Sequence, residues 1–207
     1  MLVVSDLAVR RGGRRLLDGV RLAVRPGEAL LLTGPNGIGK TSLLRVIAGL
    51  SPPEAGEVRV AEDAAAYMGH LDGLKPTLSV RENLAFWARL DGLGPERAAA
   101  ALERLDLADR IDLPVADLSA GQRRRAGLAR LALLGRPLWL LDEPTVTLDA
   151  ASTALFEAML RGHLEGGGAA VISTHLPIAG AARLDLARFV PSRAAAADDP
   201  FLGEGWA

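Results

Sequence analysis

Apolar and polar residues alternate along Val20–Arg25, and an apolar-rich run, Leu2–Val9, precedes it. A period of two marks half-buried strands, and Gly12-Gly13 between the runs supplies a tight turn, so an antiparallel opening pair is expected. Pro26-Gly27 interrupts the pattern, and Ala29-Leu30-Leu31-Leu32-Thr33 then forms a continuous apolar run. Such runs belong to strands buried on both faces. From Lys40 to Ala48 the period becomes helical, with Leu43, Leu44 and Ile47 on one face and Gly49 in the C′ position. Pro52-Pro53-Glu54-Ala55-Gly56 reads as a turn.

The middle of the chain is helical in pattern. Ser79-Val80-Arg81-Glu82 has capping-box spacing and predicts a helix from Val80 to about Leu90. Gly94-Pro95 opens a second helix with Leu102 and Leu105 on one face. From about Leu71 to Gly135 the chain predicts helices and loops without a strand, a helical insertion in an α/β core. Strand character returns at Leu138–Leu141 and Ala169–Thr174, on either side of a helix that Asp149 caps and Gly166-Gly167-Gly168 ends. The alternation predicts a mostly parallel sheet with its ligand at the carboxyl ends of the strands. Residues 191–207 carry little pattern and are expected to form a mobile tail, which leaves 1–190 as one domain.

Composition narrows the chemistry. The 207 residues are 49% hydrophobic, enough for a sizeable core. With 24 Lys+Arg against 25 Asp+Glu the formal charge is -1, which argues against a nucleic-acid partner. The absence of cysteine rules out disulfides, thiolate metal sites and covalent haem attachment through CxxCH. Neither a signal peptide nor a membrane span is read from the apolar runs, so any membrane role is expected to come through a partner. Only Lys40 and Lys75 are lysines in a sequence otherwise supplied with arginine.

Lys40 belongs to Gly34-Pro35-Asn36-Gly37-Ile38-Gly39-Lys40-Thr41, which fits G-x-x-x-x-G-K-[ST] between a buried strand and a helix start. Glycines let backbone N–H groups curl around a phosphate, and the helix N-terminus adds partial positive charge. Lys40 can reach the outer phosphates and the Thr41 hydroxyl can ligate Mg²⁺, with Ser42 next in line. Asp142-Glu143 ends the strand Leu138–Leu141, where Asp142 can hold Mg²⁺ and Glu143 can polarise an attacking water. His175 ends the strand Ala169–Thr174 and is placed to bond a γ-phosphate. In Leu118-Ser119-Ala120-Gly121-Gln122, Ser119 and Gln122 have capping-box spacing and Gly121 exposes backbone N–H groups.

The order of phosphate loop, helical insert, LSAGQ, Arg123-Arg124-Arg125, LLDEP and strand-end histidine resembles the ATP-binding cassette (ABC) transporter ATPases over nearly all of 1–190. The resemblance implies a P-loop NTPase fold of the ABC type, with ATP and Mg²⁺ as cofactors. Two copies would pair head to tail, with Gly34–Thr41 binding the triphosphate and Ser119, Gly121 and Gln122 closing the opposite site. It further implies Glu143 as catalytic base, Asp142 as magnesium support, Asp149 in a loop that communicates across the dimer, and His175 as the switch histidine. Three positions depart from the family pattern. Arg11 stands where an aromatic usually stacks on adenine, His70 where Gln usually follows the second core strand, and Thr147 where Ala usually precedes Leu-Asp. His70 could order water near the metal.

Met68–Lys75, Arg81-Glu82-Asn83-Leu84 and LSAGQRRR further resemble the haem-exporter ATPases of cytochrome c maturation systems. That likeness implies a peripheral subunit on the cytoplasmic face of the bacterial inner membrane, docked on an integral permease through the region around 70–81 and the following helix. Alternatives are an ATPase of another small exporter or a soluble ABC ATPase that moves no solute. Three histidines and no cysteine offer no obvious haem-binding pair.

Overall fold

The computed structural model describes residues 1–69, 71–94, 96–103 and 105–191. Strands β1 (Leu2–Arg11) and β2 (Arg14–Val24) form the opening hairpin. Gly12 and Gly13 at its tip have φ of 57° and 78°, the doubly left-handed turn that twists with the strands and excludes side chains. There follow β3 (Ala29–Thr33), α1 (Lys40–Ile47), β4 (Ala55–Val60) and β5 (Ala65–Met68). Helices α2 (Val80–Leu90), α3 (Glu96–Glu103) and α4 (Ala120–Leu134) come next, then β6 (Leu138–Asp142), α5 (Ala150–Glu165), β7 (Ala169–Ser173) and β8 (Ala182–Asp185).

Two sheets result. One is antiparallel, in the order β2-β1-β4; the other has five strands in the order β5-β6-β7-β3-β8, paired in parallel. The three central strands bury both faces. Leu30, Leu32, Leu138, Leu140 and Val171 face the antiparallel sheet and α1, while Leu31, Trp139, Leu141 and Ile172 face the core shared with α4 and α5. On that second face the Trp139 indole stacks on the His163 imidazole, with centroids 3.8 Å apart and planes 6° from parallel. A mixed β core with helices inserted between β5 and β6 matches the expected fold class.

The two helix starts with capping-box spacing both form reciprocal caps: Ser79 with Glu82, and Ser119 with Gln122. Asp149 caps α5 by accepting from the Ser152 N–H. Strands β4 and β8 were not anticipated. Both are edge strands with mostly exposed side chains, so neither carries an apolar alternation, and β4 begins inside the stretch read as a turn.

Glu54 fastens the hairpin to the start of β4. Its carboxylate accepts from Arg10 Nη2 at 2.6 Å and from Arg15 Nε and Nη2 at 3.1 and 3.0 Å. These bonds hold its pKa at about 2, down from 4.5. A carboxylate depressed in the fold stabilises above its unfolded pKa and loses that contribution as pH falls through the folded value. Because the groups are exposed, the contribution is under about 1 kcal/mol. Urea denaturation of Glu54→Gln should therefore show a smaller stability loss than the parent between about pH 4.5 and pH 2, with the gap closing under high salt.

Candidate functional site

The parallel register sets the site. Leu32 of β3 pairs with Ser173 of β7, and Ser173 pairs on its other side with Asp142 of β6. With neighbouring strands about 4.8 Å apart, the Leu32 and Asp142 backbones lie about 10 Å apart. Three segments therefore leave the sheet at one edge: the loop after Thr33, the turn after Asp142, and Thr174-His175.

The first segment is the glycine-rich loop. Gly34, Gly37 and Gly39 have φ of 132°, 79° and 123°, a region that side chains rarely adopt. Ile38 folds back over Gly34, and Gly39 lies under Leu17 of β2, 3.2 Å from where a Cβ would stand. Pro35, Asn36 and Gly37 are exposed at the loop crest. The Lys40 ammonium arches over the loop and donates to the carbonyls of Gly34 at 2.8 Å and Pro35 at 3.2 Å. Helix α1 starts with no side-chain cap and no acidic residue in its first turn, which leaves its N–H groups available to an anion. Thr41 is half-buried in that turn, and Ser42 is buried behind it.

The second and third segments face one another. Asp142 is 1% exposed, and its negative charge, after burial itself, pushes the nearby Tyr67 phenol pKa up. Glu143 sits at φ 50°, held there by its own N–H donating to Ser173 O at 2.7 Å. Its carboxylate Oε1 is 3.6 Å from Nε2 of His175, with side-chain exposures of 13% and 66%. Thr145 and Thr174 exchange a hydroxyl hydrogen bond at 3.1 Å beneath them. A cleft of about 290 Å³ runs between the loop and this edge, lined by Gly34, Lys40, Thr174, His175 and Arg183 among others.

Ser119, Gly121 and Gln122 stand at the start of α4. Ser119 and Gln122 cap α4 reciprocally, and Gly121 approaches the Thr147 carbonyl so closely that a Cβ would stand 3.1 Å from it. Among the described residues no hydrogen bond joins these three to residues 34–41. Arg11 is exposed at the end of β1, paired with Arg14 across the hairpin whose β2 strand carries Leu16 and Leu17 onto Gly39. His70 and the tail from residue 192 lie outside the described residues.

Sequence reasoning missed two buried arginines. Arg124, 5% exposed, donates to the carbonyls of Asp142, Glu143 and Pro144, to the carbonyl of Gly69 and to the Asp72 carboxylate. Arg130, two turns further along α4, bonds the carbonyls of Tyr67 and Asp72 and lies 4.8 Å from the Trp87 ring centroid. An Arg-Arg-Arg run reads as a solvated face. The available signal was α4's period, which places residue 124 inward beside Leu128 and Leu131.

A phosphate-type loop and a carboxylate pair at one edge of a parallel sheet, with a helical insertion between, define a nucleotide-binding cassette. The chain belongs to the ABC transporter family, whose model matches residues 17–146. Over 98% of its length it is 55% identical to the cytochrome c biogenesis ATP-binding export protein CcmA of Cereibacter sphaeroides, covering 98% of that protein. Over 86% it is 58% identical to the CcmA of Paracoccus denitrificans, covering 84% of it. In three dimensions it resembles the ATP-binding cassette MJ0796, solved as a dimer in a post-hydrolysis state bound to ADP and Pi. That match has TM-score 0.75 and 25% identity, and covers 85% of this chain and 88% of the other.

Thr147 is strained. It is β-branched yet sits at φ 73°, and its hydroxyl donates only a long 3.5 Å hydrogen bond to the Ala120 carbonyl. Asparagine tolerates that region better, so Thr147→Asn should raise stability by about 1 kcal/mol in thermal or urea unfolding.

Proposed function

We propose that the chain is an ATP hydrolase: the ATP-binding subunit of an ABC export complex for cytochrome c biogenesis. In this reading two copies work head to tail on an integral permease, at the cytoplasmic face of the bacterial inner membrane. ATP turnover there supports haem export or the release of a haem-loaded periplasmic chaperone. The near full-length likeness to CcmA proteins supports the system assigned. The observation that carries the enzymatic reading is the meeting of Gly34–Thr41, Asp142-Glu143 and His175 at one strand edge. Among the described residues no helix is long and apolar enough to cross a membrane, and the reading gives the span to the permease.

The triphosphate lies along the glycine loop, where backbone N–H groups and the α1 N-terminus meet its negative charge. Lys40 turns from its own loop carbonyls to the β- and γ-phosphates. The donor set near these phosphates is hard oxygen: the buried Asp142 carboxylate and the Thr41 hydroxyl. One carboxylate plus a hydroxyl and substrate phosphates suits Mg²⁺, which favours oxygen and keeps several waters. Bound there, Mg²⁺ would neutralise charge developing on the phosphate oxygens.

Glu143 takes a proton from the attacking water as its oxygen bonds to the γ-phosphorus and the bond to the ADP oxygen breaks. His175, within 3.6 Å of that carboxylate, donates to the γ-phosphate and reports its presence. Ser119 and Gly121 of the second copy cap the same phosphate from the far side. Gln122 holds that helix start in shape through its bond with Ser119. Arg11 is assigned to the adenine face by guanidinium stacking, and His70 to water near the metal.

Glu143→Gln should retain ATP binding, lower kcat by about a hundredfold or more, and accumulate an ATP-bound dimer visible by light scattering. Hydrolysis at the parental rate would refute Glu143 as base. For the permease contact, the outer face of α2 and the loop before it offer Leu71, 89% exposed, and Phe86, 55% exposed. Leu71→Asp with Phe86→Asp should abolish co-purification of a membrane subunit while leaving nucleotide affinity intact.

A further inference from the structure

Arg124 ties together the two segments that leave the neighbouring strands β5 and β6. Its Nε donates to Pro144 O at 3.1 Å, and its Nη2 donates to Asp142 O at 2.9 Å and Glu143 O at 2.6 Å. Three consecutive carbonyls are thus gripped by one planar fork, at the point where the backbone turns through Glu143's left-handed φ of 50°. A non-glycine residue stays in that region only where its surroundings over-determine it. The Glu143 N–H is held by Ser173 O, so the bond from Arg124 fixes the other end of the same residue.

The remaining nitrogen, Nη1, donates to Gly69 O and to the Asp72 carboxylate, both at 2.7 Å. That pair is well shielded, with side-chain exposures of 6% and 11%. Asp72 has little room to shift toward α4, because a Cβ on Gly127 would stand 2.8 Å from the Asp72 Cβ. A shift of Gly69 or Asp72 is therefore passed to the guanidinium instead of being absorbed by slack.

We propose that Arg124 is the positioning residue for Glu143, and that its bonds to Gly69 and Asp72 make this positioning depend on where those two residues lie. Arg124 need not touch the nucleotide. It sets the backbone from which the carboxylate projects, and a misplacement of about 1 Å in such a group costs up to about a hundredfold in rate. Asp72 adjoins the exposed Leu71 on the surface assigned to the permease, so a partner pressing there would tighten or loosen the base. The proposal rests on the reading of Glu143 as general base.

The test uses the full chain. Arg124→Lys keeps the charge but cannot span three carbonyls; Asp72→Asn leaves the fork in place and removes its anionic anchor. Affinity is read with a fluorescent trinitrophenyl derivative of ATP, turnover as phosphate release, and folding by thermal melting. Both variants should bind the probe within about threefold of the parent while kcat falls about tenfold or more, because the interaction is needed only in the transition state. Combined with Glu143→Gln, Arg124→Lys should add no further loss, since groups acting as one unit are not additive. Parental kcat in Asp72→Asn, or losses that multiply in the double variant, would overturn the proposal. Should Arg124→Lys fail to fold, Asp72→Asn alone and with Glu143→Gln decides the matter. Failure of the underlying reading looks different: the probe would not bind the parent, or Glu143→Gln with Arg124 intact would turn over normally.

Discussion

Burial of β3, β7 and β6 on both faces is the constraint on which the molecule rests. A one-residue slip would turn every side chain into the opposite packed face, and in the register held the three strands end together. The phosphate loop, the Asp142-Glu143 pair and His175 are attached at those ends. The glycine loop can be irregular, Glu143 can occupy a disfavoured conformation and Lys40 can be drawn inward, because the sheet beneath them cannot move. Rigid strands ending in strained turns are a general way to hold polar groups in place without a polar core.

Local signals were legible and distant ones were not. Ser79 with Glu82 and Ser119 with Gln122 announce their helices because both halves of each cap lie within four residues. The hairpin at Gly12-Gly13 is equally local. Strands β4 and β8 escaped because an edge strand needs no apolar period. Arg124 escaped for another reason: its five bonds go to residues 18 to 55 positions away, and a run of three arginines gives no hint that the middle one is buried. The left-handed φ of Glu143 and Thr147 could not be read either, since the usual residues for such a turn are glycine and asparagine. The motif positions were visible from spacing; their mutual geometry came only from the strand register.

The start of α4 is engaged locally: Ser119 and Gln122 cap one another, and Gly121 lies against the Thr147 carbonyl. In the reading proposed above, nucleotide joins two copies, and each cycle of hydrolysis dissolves what binding had joined.

Among the described residues, Gly69 and residues 71–75 are hydrogen-bonded largely through their main chain, with the Asp72 carboxylate on Arg124 as the side-chain exception. Arg124 takes the carbonyl of Gly69, Arg130 that of Asp72, the Trp87 indole that of Gly73, and Asn83 both polar groups of Lys75. A segment carried by its peptide groups owes little to the identity of outward residues such as Leu71. Those outward residues can be rewritten step by step to suit a different counterpart so long as Asp72, whose carboxylate Arg124 holds, is kept, which gives this architecture a ready route to new clients.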